Sequence, residues 1–355
     1  MKSTNRPLGV GLLAAGPVTQ AVHLPTLATL AERFQVTHVM GVAPDVVATV
    51  AARVGARHSS TVEELLADDS VDVVAVCSPN SLHAEHVVAA LSAGKRGVLC
   101  EKPLATSRDE VEQIAGAASA SGVPLVVGAM HAYDPAWTAA KDSWGNLPDR
   151  TQLVRSRVYL PPNEEFVDLA TDLATGSPPP VSPPTSSEQR PPSAVDLLRG
   201  CVLGLATHVV PQLRHFMPGR ARVVAADLLE PFGYRLVLAG EGDRDGRTAE
   251  LFALLPGAWE QDWTFEAWAP DARLRVDYPP PYVLAGSASV TLTDTKGSVS
   301  GWQFPHNGYQ AEWLHLADVV EGRTELMRDM PTVLDDMLYA LDMADDATEL
   351  LKAAS

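Results

Sequence analysis

The fold is decided by residues 71–103, which read VDVVAVCSPNSLHAEHVVAALSAGKRGVLCEKP. Val71–Cys77 is a strongly apolar segment, as expected for a parallel strand that is buried on both faces. Ser81–Ala93 has helical periodicity and stops at Gly94, and Val98–Cys100 is the next apolar strand. A strand, a helix and a strand in this order predict two parallel strands joined by a crossover helix.

The same alternation extends outward over residues 8–130. A capping box, Thr61–Glu64, starts one further short helix. The regular alternation predicts a doubly wound parallel sheet, the Rossmann class of α/β fold. The remaining predicted strands are Leu8–Leu13, Gln35–Val42 and Pro124–Gly128, and the remaining helices are Val18–Arg33, Asp45–Val54 and Ser107–Ser121.

The pattern changes after Asp134, which predicts a second α/β domain. Ala221–Ser300 contains short strand-like segments separated by Gly and Pro, typical of an open, mostly antiparallel sheet. The predicted domains are therefore 1–130 and 131–355. Within the second domain, residues 161–193 form a Pro-rich loop, either a lid or a disordered insertion. Its predicted helices are Asp196–Phe216, Tyr309–Glu321 and Pro331–Leu351.

Composition limits the possible partners. The chain has 27 basic and 44 acidic residues, a formal net charge of −17, which argues against nucleic-acid or anionic-membrane binding. Met1–Pro7 lacks an apolar signal core, and no apolar run approaches the ~20 residues of a membrane span. We expect a cytoplasmic protein. Its three cysteines have no disulfide or metal-ligand spacing, so no metal site is expected.

The loop after the first predicted strand is a candidate phosphate-binding loop. In the dinucleotide fingerprint, glycines should occupy positions 14, 16 and 19, which here hold Ala14, Gly16 and Thr19. Pro17 and Val18 then begin the helix whose N-terminus would face the pyrophosphate. This loop alone is also compatible with an ordinary strand–helix turn.

The end of the second strand should supply an acidic residue for the adenosine ribose. That position is Ala43, and Asp45, two residues later, is interpreted as a helix cap. No arginine replaces the acid, so the sequence does not choose between NAD and NADP. Cofactor recognition is therefore weaker than the fold suggests.

Two further loops place polar groups at the same edge of the sheet. Ser78-Pro79-Asn80 and His83 follow one strand, and Glu101-Lys102-Pro103 follows the next. Carboxyl ends of parallel strands are where open α/β sheets bind ligands. Alone, His83 could be a helix-start residue bonded to backbone, and Glu101–Pro103 could be a surface turn.

At these motifs the chain resembles the glucose–fructose oxidoreductase / inositol dehydrogenase / MocA family. The resemblance rests on Val10–Gly16, His23-Leu24-Pro25, the Ser78–His83 and Glu101–Pro103 motifs, and Gly128 through Pro135. It implies an NAD- or NADP-binding Rossmann domain and a second domain that holds sugars, cyclitols or related carbonyl compounds. It also implies a homodimer or homotetramer formed through the C-terminal sheet.

The resemblance also implies roles for individual residues. Lys102 is similar to the family lysine that contacts the nicotinamide ribose and the reacting hydroxyl, and Glu101 to the glutamate lining that site. His208 matches the histidine of a helical Asp/His pair, but Gly204 stands where the aspartate should be. Without the resemblance, His208 would be interpreted as a satisfied core histidine.

Several residues at and after the predicted domain boundary have two open interpretations. Met130, His131 and Tyr133 line the substrate pocket, where His131 and Tyr133 are possible acid–base groups, or Tyr133 packs as a hinge aromatic. Tyr309 and Glu312 either border the pocket, or Tyr309 and Glu312 pack in the core and provide negative charge at the start of a helix. Four tryptophans are interpreted as dimer surface or core: Trp259, Trp263, Trp268 and Trp302.

The sequence thus favours a nicotinamide-dependent oxidoreductase that interconverts a secondary alcohol and a ketone. Its small-molecule substrate would be sugar-like, a cyclitol or a secondary metabolite, with Lys102 orienting the oxygen and His208 assisting proton transfer. The alternatives are a redox-neutral relative (a cyclase, lyase or isomerase) with a degenerate cofactor site, or a non-catalytic binding protein. Ala14, Ala43 and Gly204 motivate these alternatives.

Overall fold

The computed structural model describes residues 6–176, 192–240 and 246–354. Packing divides them into two units. Unit 1 comprises residues 6–128, 167–176 and 312–334, and unit 2 comprises 129–166, the described part of 192–311, and 335–354. The predicted boundary between residues 130 and 131 stays a prediction.

Unit 1 contains a six-stranded parallel sheet with the order β3-β2-β1-β4-β5-β6. The strand order reverses between β1 and β4, which is the switch point where such sheets bind ligands. The predicted doubly wound sheet is confirmed. Its strands are β1 (Leu8–Leu13), β2 (Phe34–Met40), β3 (Arg57–Ser59), β4 (Val73–Val76), β5 (Gly97–Glu101) and β6 (Leu125–Gly128).

Two helices of unit 1 begin at the positions that their capping residues predicted. Ser107 and Glu110 form a complete capping box, and the Thr61 side chain accepts from the Glu64 amide. Asp45 does not cap its helix: the N-cap is Ala43, and Asp45 lies in the first turn. The helices are α1 (Leu24–Thr29), α2 (Pro44–Val54), α3 (Val62–Leu66), α4 (His83–Ser92) and α5 (Arg108–Ser121).

The first crossover departs from the continuous helix predicted over Val18–Arg33. A π-helical turn, Thr19–His23, precedes α1. Pro25 has no N–H to donate to the carbonyl four residues earlier, so regular α-helical bonding is interrupted at this point.

A late segment of the chain completes the core of unit 1. The helix Gly308–Val320 enters this unit at Glu312, and Leu316 and Val320 lie against Gly97 of β5. A Cβ at Gly97 would come within 2.9 Å of both side chains, so any larger residue there would force them to shift. The buried Trp313 ring packs edge-on against Phe34 at 5.1 Å.

Unit 2 contains an eight-stranded sheet with the order β14-β13-β12-β11-β7-β10-β9-β8. Only the β7–β10 pair among these is parallel, so the predicted open, mostly antiparallel sheet is confirmed. Its strands are β7 (Leu153–Tyr159), β8 (Ala221–Leu229), β9 (Phe232–Gly240), β10 (Thr248–Leu255), β11 (Asp262–Trp268), β12 (Ala272–Asp277), β13 (Ser289–Asp294) and β14 (Val299–Trp302).

One loop prediction and one helix prediction in this part of the chain were wrong in detail. Residues 161–176 are not loop throughout, because Asn163–Ala170 is a helix; residues 177–191 lie outside the described part. The predicted helix Asp196–Phe216 is broken by a 3₁₀ turn at Ala206–His208, next to Pro211. The helices are α6 (Met130–Tyr133), α7 (Pro135–Ser143), α8 (Leu147–Arg150), α9 (Asn163–Ala170), α10 (Ala194–Leu205), α11 (Val210–Phe216), α12 (Gly308–Val320) and α13 (Met330–Ala354).

No single helix among the described residues has the length and apolar character needed to cross a membrane. Two consecutive helical segments meet both requirements only when they are counted as one helix. These are Ala194–His208 and Val210–Phe216, and the angle between them is 71°.

Candidate functional site

The strand register brings the predicted cofactor loops to one edge of the sheet in unit 1. Leu13 pairs with Met40 on one side and with Val76 on the other, and Val76 pairs with Cys100. The loops that follow β1, β2, β4 and β5 therefore leave the sheet at the same level. These loops contain Ala14 to Val18, Ala43, Ser78 to His83, and Glu101 with Lys102.

The first loop adopts the conformation of a phosphate-binding turn without its first glycine. Ala14 has φ = 96°, a left-handed value that is strained for alanine. No other atom of the described residues lies within 4 Å of a Cβ built on Gly16, so the backbone there is open to a close-approaching group. The hydroxyl of Thr19, at the third glycine position, donates to the Ala14 carbonyl at 2.8 Å. This loop fits a pyrophosphate at Gly16.

Gln20 ties the loop to the segment that follows α9. Its amide nitrogen donates to the carbonyls of Ala15 (2.8 Å) and Ala174 (3.1 Å), and its oxygen accepts from the Ala174 amide at 2.7 Å. Residues 171–176 therefore cover part of the first crossover. Sequence reasoning missed Gln20, because nothing in a lone glutamine predicts a partner 154 residues away.

The end of β2 has no acidic group at the predicted ribose position. Ala43 is half-buried and caps α2 without a side-chain bond, while the neighbouring Val42 is 73% exposed. The structure therefore supplies no carboxylate at residue 43 to distinguish NAD from NADP.

The loop after β4 presents Pro79 and Asn80 at the surface but turns its other polar groups inward. Ser78 is buried, with its hydroxyl 2.9 Å from Nδ1 of His86. His83 is buried between two carbonyls, with Nδ1 2.7 Å from the Pro103 oxygen and Nε2 2.7 Å from the Ser78 oxygen. His83 thus links this loop to the Glu101–Pro103 loop, and its contact with a cofactor stays a prediction.

Glu101 ends β5, and Lys102 follows it before a cis Pro103. Glu101 is buried; its Oε1 lies 3.0 Å from Nε2 of His23, and its Oε2 accepts from the Lys102 amide at 3.2 Å. Burial works to raise the pKa of Glu101, but the His23 bond and the Lys102 charge outweigh it and lower that pKa. Burial lowers the pKa of the Lys102 ammonium, which Glu101 opposes.

In unit 2, His131 and His208 belong to one aromatic cluster. The His131 ring lies 3.9 Å from the Tyr278 ring, 4.7 Å from Trp263 and 5.8 Å from His208, measured between ring centroids. Gln212 accepts a hydrogen bond from the Tyr278 hydroxyl. His131 is buried, whereas His208 is half-buried at the edge of the cluster.

The remaining residues of unit 2 that the sequence singled out lie in helices α6, α10 and α12, in the sheet and in its loops. Met130 and Tyr133 are buried in the short helix α6, and the backbone of Gly308, next to Tyr309, comes very close to the Met130 carbonyl. Gly204 lies in α10, and a Cβ there would meet only the Phe232 ring, at 3.6 Å. Of the four tryptophans, Trp263 is core and Trp259 is 88% exposed.

Glu312, in unit 1, is fully buried, so it does not supply the helix-start charge considered from sequence. Burial, with the nearby charge of Glu101, raises its pKa far above the ordinary value. The described residues contain no group of three His, Cys, Asp or Glu side chains arranged to hold a metal ion.

Strand order and the Gly16 loop define unit 1 as a dinucleotide-binding fold of the Rossmann class. Residues 8–129 match the family model GFO_IDH_MocA, described as an oxidoreductase family with an NAD-binding Rossmann fold. The resemblance recognised from sequence is confirmed over this segment, which is about a third of the chain.

Two relatives match part of the chain. Inositol 2-dehydrogenase 3 of Saccharopolyspora erythraea is 38% identical over 134 residues, which cover 38% of this chain and 39% of the relative. The NADP(+)-dependent scyllo-inositol 2-dehydrogenase of Bacillus subtilis is 41% identical over 96 residues, 27% of this chain and 29% of the relative. The chain thus spans well under half the length of these relatives.

Solved structures share the fold over almost the whole chain. A 3-ketoreductase from Actinomadura kijaniata, solved with TDP-benzene and NADP, has a TM-score of 0.70, 20% identity, and coverage of 96% of both chains. UDP-N-acetylglucosamine 3-dehydrogenase from Acidithiobacillus ferrooxidans has a TM-score of 0.72 and 16% identity, covering 97% of this chain and 99% of the other. At these identities the likeness establishes the fold.

Proposed function

We propose that this protein is an NAD(P)-dependent oxidoreductase that interconverts a secondary alcohol and a ketone on a sugar-like, cyclitol or secondary-metabolite substrate. The observation that carries the proposal is the position of Glu101 and Lys102 at the carboxyl end of β5, on the same sheet edge as the open backbone of Gly16 that follows β1. The relatives' cyclitol and nucleotide-sugar substrates support the substrate class.

The proposed chemistry gives each residue a limited task. The nicotinamide, when bound, exchanges a hydride with the substrate carbon. The loop Ala14–Val18 holds the pyrophosphate, and Lys102 orients and polarises the substrate oxygen. His208 takes the hydroxyl proton during oxidation and returns it during reduction. Fully burying an ammonium is costly, so a lysine of lowered pKa beside Glu101 is suited to binding an oxygen on which negative charge develops.

Cofactor titration followed by turnover tests the proposal. NAD, NADP and their reduced forms are titrated into the purified protein, and nicotinamide absorbance is then followed with inositols and nucleotide-linked ketosugars. We expect one cofactor to bind and at least one substrate to be turned over. Failure of every cofactor to bind at millimolar concentration would contradict the proposal.

Lys102→Ala tests the role of the lysine. We expect turnover to fall by about 100-fold or more, as when a charge-stabilising group is lost. Lys352→Ala is the matched control, because Lys352 is exposed on α13 and pairs only with Glu349 among the contacts described. Equal activity of Lys102→Ala and Lys352→Ala would remove Lys102 from the mechanism.

A redox-neutral relative is the second candidate, favoured by Gly204, which leaves His208 without the aspartate of the family pair, and by the strained Ala14. Such a protein would convert its substrate with no change in nicotinamide absorbance, even with cofactor bound. Product analysis by mass spectrometry alongside the absorbance assay separates this candidate from the first.

A further inference from the structure

Three side chains that are distant in sequence form a series of hydrogen bonds that ends at Glu101. The indole Nε1 of Trp313 donates to Nδ1 of His23 at 3.2 Å, and Nε2 of His23 lies 3.0 Å from Oε1 of Glu101. His23 and Trp313 are completely buried. These contacts therefore lie in the interior of unit 1, and of the three side chains only Glu101 has some exposure to solvent.

The indole determines which nitrogen of His23 carries the proton. An indole N–H can only donate, so Nδ1 must accept and cannot itself be protonated. Burial works to lower the pKa of His23, but Cys77 and Glu101 outweigh it and raise that pKa well above its ordinary value. The Trp313 geometry nevertheless excludes the doubly protonated ring, because two N–H groups cannot bond to each other. His23 is thus the neutral Nε2–H tautomer, with its single N–H aimed at Glu101.

The carboxylate of Glu101 is held in place by two hydrogen bonds and by the backbone of the neighbouring strand. Its Oε1 accepts from His23, and its Oε2 accepts from the backbone N–H of Lys102. A Cβ at Gly128, the partner of Glu101 in β6, would lie 3.3 Å from the Glu101 carboxyl carbon. A shift of the His23 ring would therefore be passed through the carboxylate to the backbone of Lys102.

A second acid, Glu312, lies in the same interior. Both of its carboxyl oxygens are buried and have no hydrogen-bond partner among the described residues. Its electrostatic neighbours are Glu101 and His23, and those of Glu101 also include Lys102 and His83. Two carboxylates close together in a dry interior cannot both ionise readily, and Glu312 lacks the hydrogen bonds that stabilise Glu101.

We propose that His23 is a positioning residue for Lys102, held as its Nε2–H tautomer by Trp313, and that Glu312 is a neutral acid that leaves Glu101 as the single carboxylate of this compartment. His23 acts through Glu101 and does not itself contact substrate. The proposal rests on the function proposed above insofar as it concerns turnover. The tautomer and the neutral acid are properties of the protein without cofactor.

Nitrogen NMR of the histidine rings tests the tautomer in the cofactor-free protein. His23 is assigned by the loss of its signals in His23→Gln, and wild type should show the Nε2–H pattern. Trp313→Phe removes the donor and retains an aromatic ring, so we expect the His23 nitrogen shifts to change. Trp137→Phe, a buried ring in unit 2, should leave them unchanged. Unchanged His23 shifts in Trp313→Phe would overturn the tautomer assignment.

Kinetics test the positioning role. Trp313→Phe should lower kcat by about 10- to 100-fold, as expected from small misplacement of a reacting group, with cofactor Kd within about twofold of wild type. Should Trp313→Phe fail to fold, His23 variants provide the test. His23→Gln retains a donor near Nε2 and should keep more activity than His23→Leu. Equal kcat for these two variants would overturn the role.

Infrared spectroscopy tests the neutral acid. Wild type should show a buried carboxylic-acid carbonyl band that is absent from Glu312→Gln, in which the side chain is an amide. The absence of such a difference would overturn the assignment of Glu312. If wild type binds no nicotinamide, the proposed function fails, but the NMR and infrared results still decide the tautomer and the acid.

Discussion

Ala14 shows how a single residue carries the departure of this chain from the usual dinucleotide loop. The turn has the left-handed conformation at residue 14, φ = 96°, although this position holds alanine and not the glycine that adopts positive φ without strain. Strain of this kind costs on the order of 1–3 kcal/mol. The loop therefore retains its shape at a cost in stability.

Replacing Ala14 with Gly should stabilise the protein by about 1 kcal/mol, because glycine adopts positive φ without steric conflict but loses more entropy on folding. Denaturant unfolding measures the change. Ala117→Gly, inside helix α5, is the control with the opposite sign and should destabilise by about 1 kcal/mol. A loss of stability in Ala14→Gly would show that the loop is not strained.

Gly204→Asp tests whether the family's missing carboxylate can be restored. A Cβ at Gly204 meets only Phe232, at 3.6 Å, so the side chain can be accommodated at its first atom. A carboxylate near His208 favours its protonated form, so the acid limb of the pH–rate profile for oxidation should move to higher pH. Gly200→Asp, one turn earlier in the exposed part of α10, should leave the profile unchanged. Identical profiles for the two variants would contradict a role for His208 in proton transfer.

Sequence reasoning located the sheet edge but not the contacts that organise it. Apolar strands and turn residues are local signals, so Gly16, Glu101 and Lys102 were placed correctly at strand ends. The bonds from His23 to Glu101 and Trp313 join residues 78 and 290 positions apart, and no local pattern encodes such partners. For the same reason the sequence left Glu312 open between the pocket border, packing and a helix-start charge: its burial depends on the packing of a whole helix.

At the scale of elements, Asp68 connects β2 to β3. Its carboxylate contacts Nδ1 of His38 at 2.7 Å, the Ser70 amide at 2.8 Å, and the Arg57 guanidinium. Burial works to raise the pKa of Asp68, but these hydrogen bonds and the Arg57 charge lower it from 3.8 to about 2. The ionised form is therefore preferred in the folded protein.

Asp68→Asn should destabilise the protein by about 2 kcal/mol at pH 7, since each unit of pKa shift corresponds to about 1.4 kcal/mol. The folded-state pKa is depressed, so this contribution is complete above about pH 5 and is lost as the pH falls through the folded pKa of about 2. Unfolding measured from pH 7 to pH 2 should show most of the difference from wild type disappearing. Asp69→Asn, at an exposed neighbour, should differ little from wild type at any pH. A difference independent of pH would contradict the proposed origin.

At the scale of the whole molecule, the sheet of unit 2 presents ion pairs and two aromatic rings on one face. Arg155 pairs with Glu250 and Arg157 with Asp262, while the Tyr159 and Phe252 rings meet edge-on at 5.9 Å. Exposed ion pairs contribute little to stability. Because interface cores are enriched in aromatic residues, these two rings are candidates for the contact of the homodimer or homotetramer that the family resemblance implies.

Phe252→Glu should shift this assembly toward monomer by at least tenfold in its dissociation constant, because it buries a charge in the apolar part of the interface. Analytical ultracentrifugation over a concentration series measures the change. Leu169→Glu, at a residue that is 78% exposed on α9, is the control. A wild-type protein that sediments as a monomer at all concentrations would contradict the proposed assembly.

The late helix that completes unit 1 has a consequence for how the chain is made. Leu316 and Val320 cover Gly97, and Trp313 binds His23, yet these residues are synthesised more than 180 positions after Gly128. At ~5–20 residues per second, a ribosome takes roughly 10–40 seconds to reach them. During that interval the nascent sheet has an uncovered apolar surface at β5, where a chaperone that recognises such surfaces would bind. Residues 8–129 form a recognisable family segment, but they cannot be transplanted as a finished module.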